Sequence, residues 1–172
     1  MQFTAPSLAV ILAFASSTAA APLEARNETL QDWQVTKVSV GTPSGRPGSY
    51  PWASIVANVT DPNELNLGPA SSDGSDVIVS GGSSGTNCKA EWFSGENPLG
   101  RTWPCDAVED GYWTMTVLEG TAGFSSTDFK LKFAHVPDVL YEGGRYTATY
   151  EATGSFKVGD NLSVLITPAK VA

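Results

Sequence analysis

The sequence predicts an all-β domain, an antiparallel β-barrel or sandwich of roughly seven to eight short strands held by one disulfide. Three observations carry that expectation. Apolar residues recur with a period of two in several runs, 17 Gly and 11 Pro supply frequent turn signals, and no stretch shows a convincing 3.6-residue period. At 172 residues the chain suits one core, and 41% hydrophobic against 16% charged residues is a globular balance.

The first strand is expected over Trp33 to Val40, where the apolar phase changes from Trp33 and Val35 to Val38 and Val40. A bulge near Lys37 would restore the phase. After turn residues from Gly41 to Pro51, the run Ser54 to Thr60 places Ile55, Ala57 and Val59 on one face, with Asn58 and Thr60 opposite. Residues 61–86 read mostly as loop, broken by Asp61-Pro62 and Gly68-Pro69 and interrupted by a short strand from Asp76 to Ser80. This Gly/Ser tract reads as a surface connection, since it contains no phosphate-cradling Gly-x-x-x-x-Gly-Lys pattern.

The segment from Cys88 to Cys105 holds both cysteines and the tryptophans Trp92 and Trp103. A bond between the two sulfurs closes a ring of about 18 residues and constrains the unfolded chain by roughly 3 kcal/mol. Its loss should weaken the fold without necessarily abolishing it. Beyond the ring the alternation is clear. Trp113, Met115 and Val117 share a face, as do Phe129, Leu131 and Phe133 in the run Asp128 to Ala134. Tyr146, Ala148 and Tyr150 follow in the run Arg145 to Glu151, then Leu162, Val164 and Ile166 in the run Asn161 to Thr167.

The amino terminus bears on compartment. Leu8 to Ala15 is an apolar core of about eight residues, followed by small residues to Ala21, which is the pattern of a cleaved signal peptide. The expected organisation is a signal peptide over 1–20, an N-terminal extension or pro-segment over 21–30 and a single domain over 31–172. Cleavage after Ala20 or trimming after Arg26 would give Ala21 or Asn27 as the first mature residue. Three Asn-x-Ser/Thr sequons, at Asn27, Asn58 and Asn161, are candidate glycosylation sites and fit a secreted, extracellular chain. A disulfide persists in the same oxidising surroundings.

Catalytic chemistry finds little support. The net charge of −8 disfavours a nucleic-acid partner. No membrane span is expected, because the apolar core at the terminus is too short. With both cysteines oxidised there is neither a thiol nucleophile nor a Cys/His metal site, so no metal and no cofactor are expected. The single histidine, His135, is in phase with the buried face of its strand and reads as structural, and no Gly-x-Ser-x-Gly elbow accompanies it. Glu91, Glu96, Glu109, Asp110 and Glu119 are the carboxylates from which a glycosidase pair would be drawn. An acidic solvated surface accounts for the same residues, so no catalytic residue is assigned and the chain is expected not to be an enzyme.

Trp33-Gln-Val35, the spacing Cys88…Trp103-Pro-Cys105, Tyr112-Trp113 and the run Phe129 to His135 together resemble the Alternaria major-allergen family of fungal secreted β-barrel proteins, over roughly residues 31–170. The resemblance implies a compact antiparallel barrel acting by binding, as an effector, elicitor or allergen. It further implies as partner a host plant protein of the thaumatin-like kind or a small phenolic ligand. The family's second bridge is missing, because no cysteine follows Cys105, and no covalent dimer is expected. Only Cys88 and Cys105 carry over, as a structural pair. Within this reading Trp92, Phe93 and Trp103, in the loop 89–104, are the candidate binding residues, with packing beneath the ring as the alternative. A carbohydrate-binding module or small glycoside hydrolase, and a structural fungal cell-wall protein, are the competing functions.

Overall fold

The computed structural model describes residues 29–157 and 164–171. The expected signal peptide, the sequons at Asn27 and Asn161, and Leu162 lie outside them. The described residues form twelve strands and no helix: Trp33–Gly41 (β1), Trp52–Asp61 (β2), Leu65–Pro69 (β3), Asp76–Val79 (β4), Ser83–Phe93 (β5), Thr102–Pro104 (β6), Gly111–Glu119 (β7), Asp128–Tyr141 (β8), Gly144–Thr147 (β9), Thr149–Lys157 (β10), Val164–Ile166 (β11) and Ala169–Val171 (β12).

Every strand pairing is antiparallel. One sheet has the order β11-β1-β2-β5 and another β12-β10-β8-β7-β6, with β9 also paired to β8. Of the two architectures the sequence allows, this is the sandwich: among the described residues neither sheet closes on itself. Trp33, Val35, Ile55, Ala57 and Val59 from the first sheet pack with Trp113, Met115, Val117, Leu131 and Phe133 from the second in one core. The period-two alternation predicts these inward positions because successive strand side chains point to opposite faces.

The change of phase in β1 is a bulge. Its pairing with β2 shifts between Thr36 and Ser39, and Lys37 takes a φ of 52°. That extra residue lets both Val35 and Val38 reach the core.

Two segments depart from the expected loops. Leu65–Pro69 pairs with Asp76–Val79 as a small two-stranded sheet that buries Leu65, Val77 and Val79. Pro69 is tolerated there because it ends an edge strand, where no ladder donor is needed. The hairpin leans on β9, where the Ser71 N–H donates to Tyr146 Oη at 2.8 Å.

The second departure is larger. The Gly/Ser-rich segment and the first third of the cysteine ring are one continuous strand, β5, paired along β2. Gly85 is needed there because a Cβ would sit 2.9 Å from Trp113 Cγ and 3.0 Å from Trp113 Cβ. The absent side chain leaves room for the tryptophan, so composition that looked loop-like serves close packing. Gly85→Ala is expected to cost about 1–3 kcal/mol by overpacking. Urea unfolding checks this, and an unshifted midpoint would mean that Trp113 has room to move.

Strand β8 also runs farther than Ala134, through Pro137 to Tyr141. The register is continuous on either side, with His135 opposite Tyr150 and Asp138 opposite Thr147. Pro137 therefore faces Ala148, and having no N–H it interrupts the ladder there, which separates β9 from β10.

Candidate functional site

Outward positions on β2 and β5 carry the most prominent exposed aromatic surface. Because Ala53, Ile55 and Ala57 point inward, Trp52 must point out. Its cross-strand partner is Phe93. The two rings lie 5.7 Å apart at 89°, an edge-to-face contact. Trp52 is 41% exposed, Phe93 46% and Tyr50, just before β2, 65%.

Polar groups fix this surface at one side. Tyr50 Oη donates to Glu91 Oε1 at 3.0 Å, and Lys89 Nζ lies 2.7 Å from the same oxygen. Lys89 first, and Tyr50 second, hold the Glu91 carboxyl below its usual range, while the bond to Glu91 raises the Tyr50 phenol. The Ser94 N–H donates to Pro51 O at 2.9 Å, so the aromatic end of the strand pair is pinned by backbone as well. The result is three large exposed aromatic rings on and beside a hydrogen-bonded strand pair.

The sequence-predicted binding residues are divided by the structure. Phe93 belongs to the exposed trio. Trp92 is directed inward into the core, 5.7 Å from Phe124, because it is in phase with Cys88 and Ala90. Trp103 is half-buried on β6, with the Arg101 guanidinium 5.3 Å from its ring centre. Tyr50 and Trp52 escape a sequence reading that starts the strand at Ser54. Extending the alternation back by two residues would have found Trp52.

Cys88 and Cys105 are joined as expected. Asn58 lies on the outward face of β2, with its Oδ1 accepting the Asn87 N–H at 2.9 Å.

The remaining polar cluster is internal. His135 and Asp61 are each 1% exposed, with Nδ1 3.2 Å from Asp61 Oδ2. The imidazole stacks on Trp113 at 4.3 Å and 4°. Its Nε2 lies 4.0 Å from Asp110 Oδ2 and makes no hydrogen bond. The imidazole is thus held between the Asp61 carboxylate and the Trp113 ring. The other Asp61 oxygen accepts from Asn63 N at 2.8 Å and Asn63 Nδ2 at 2.7 Å. Asn63 in turn exchanges hydrogen bonds with the Gln31 backbone at 2.6 and 2.9 Å. The cluster thus ties the start of the domain to the β2–β3 turn and to β8.

Among the glycosidase candidates, Glu91 is engaged by Lys89 and Glu96 pairs with Arg101 at 3.1 Å. No group of three or more His, Cys, Asp or Glu arranged to hold a metal ion occurs among the described residues. No helix among them is long and apolar enough to cross a membrane. Compared with models of known protein families, with curated proteins and with solved structures, the chain matches none.

Proposed function

We propose that the chain is a secreted, non-catalytic interaction protein that engages a host plant protein through the Tyr50–Trp52–Phe93 face, in the manner of a fungal effector, elicitor or allergen. The observation that carries this reading is the exposed aromatic trio on a rigid strand pair. Trp and Tyr are among the side chains that most often dominate binding energy at protein interfaces, and a pre-ordered surface loses little entropy on docking. Secretion rests on the apolar leader, the sequons and the disulfide between Cys88 and Cys105. The plant host follows from the family resemblance. A binding role also accords with a histidine enclosed in the core and with carboxylates already paired to cations.

Infiltrating the purified mature protein into leaf tissue and recovering what it binds tests the proposal. The wild type should retain a plant protein, and Trp52→Ala combined with Phe93→Ala should lose it. Each replacement should change stability by about 1 kcal/mol or less, since both rings are half-exposed. Equal recovery by wild type and double variant would remove the aromatic face from the account. No bound plant protein and no tissue response would remove the function.

A further inference from the structure

The outer face of the other sheet carries a separate feature. Where Pro137 breaks the β9–β10 line, an open depression of about 420 Å³ is lined by Tyr112, Val136, Asp138, Arg145, Thr147 and Thr149. These residues come from four strands, β7 to β10, so the ladder on both sides of the break positions them.

The chemistry of the lining is specific. Tyr112 is 50% exposed and offers a ring. Arg145 Nε donates to Asp138 Oδ1 at 2.7 Å while Nη2 donates to Oδ2, making a two-pronged pair. The Arg145 guanidinium beside Asp138 holds that carboxyl below its usual range, and the guanidinium is raised in return. The pair is neutral overall, yet it presents donors and acceptors in fixed positions. The hydroxyls of Thr147 and Thr149 add two rotatable groups able to give or take a hydrogen bond.

Those properties select a ligand class. An anion is poorly served, because the one cation in the lining is already matched by a carboxylate. A flat apolar molecule needs apolar enclosure, and Val136 is the single aliphatic side chain in an otherwise polar, open rim. A neutral saccharide fits both halves of the site. The C–H groups of a pyranose face meet the electron-rich face of Tyr112, and its hydroxyls exchange hydrogen bonds with Asp138, Arg145 and the threonines. We propose that this depression binds the end of a neutral saccharide, independently of the Tyr50–Trp52–Phe93 face.

The test is an NMR titration of the full mature protein with cellopentaose, xylopentaose, laminaripentaose and chitopentaose, with trigalacturonic acid as an acidic comparator. At least one neutral oligosaccharide should shift the amides of Tyr112, Thr147 and Thr149. Tyr112→Ala should weaken that binding about tenfold or more, the loss of one ring contact and its ordering effect. Tyr112→Phe, which keeps the ring, should largely retain it, and Trp52→Ala should leave it unchanged. A native-like near-ultraviolet spectrum for each variant separates lost binding from lost folding, and Thr149→Val gives a second, milder probe. No shift with any neutral oligosaccharide at about 10 mM, a dissociation constant in the weak range for sugars, would overturn the proposal. So would shifts confined to the Trp52 face, or equal binding of trigalacturonic acid.

Discussion

Asp61→Ala is expected to lower the unfolding free energy by about 3–5 kcal/mol, the range for removing one partner of a buried ion-paired or charge-assisted cluster. Asp61 receives three hydrogen-bonding groups at 1% exposure: His135 Nδ1, the Asn63 backbone N–H and Asn63 Nδ2. Deleting the carboxylate leaves all three facing a space that water reaches poorly. Asn63 then also loses the orientation with which it clamps Gln31. For a domain of this size the loss corresponds to roughly 10 °C in Tm. Asp61→Asn retains one acceptor oxygen and should cost distinctly less. Because the partners form one network, Asn63→Ala in the Asp61→Ala background should add little, so a double-mutant cycle gives a large coupling. Calorimetry showing a Tm shift under about 2 °C for Asp61→Ala, well below one network's worth of stability, would contradict the burial and pairing of this carboxylate.

That cluster also shows where sequence reasoning stops. His135 is legible as a buried histidine, since it is in phase with Phe129, Leu131 and Phe133 on β8. Its partner is not: Asp61 lies 74 positions earlier, at the end of a strand where an Asp-Pro dipeptide reads as a turn. Local alternation reports which face a residue occupies. It carries no information about which strand lies across the core, because that depends on sheet order. The aromatic face has the same character. Phe93 is visible as a candidate, but its opposition to Trp52 follows from the β2–β5 register, which brings together residues as far apart in the chain as Tyr50 and Glu91, 41 positions. Composition misled in the Gly/Ser tract for a physical reason. Glycine in a strand usually signals a turn or a bulge, and the β2–β5 register does shift beside Gly85, but Gly85 also admits Trp113, a requirement imposed from the facing sheet. Pro137 has an effect that local alternation does not report: β8 continues through it and only the neighbouring strand line is interrupted.

Replacing both cysteines, as Cys88→Ala with Cys105→Ala, is expected to cost about 3 kcal/mol, and most of the effect should arise in the unfolded state. The bond joins β5, at the edge of the first sheet, to the residue following β6, at the edge of the second. On the folded side that junction has other ties. The Asp106 N–H donates to Thr86 O at 2.9 Å and the Cys105 N–H to Trp113 O at 3.0 Å. Ala90 and Trp92 continue the buried face of β5 beyond Cys88. The native sheet pairing should therefore survive, and the far-ultraviolet spectrum should stay that of a sheet protein. Released from its ring, the unfolded chain expands and exposes more surface, so the urea m-value should rise while the midpoint falls. These two signs together distinguish an entropic constraint from a native contact: loss of a contact alone lowers the midpoint at constant m. A double variant that is unfolded in buffer would show instead that the two sheets depend on the bond for their junction, and a cost below about 1 kcal/mol would show that the unfolded chain already keeps these segments together.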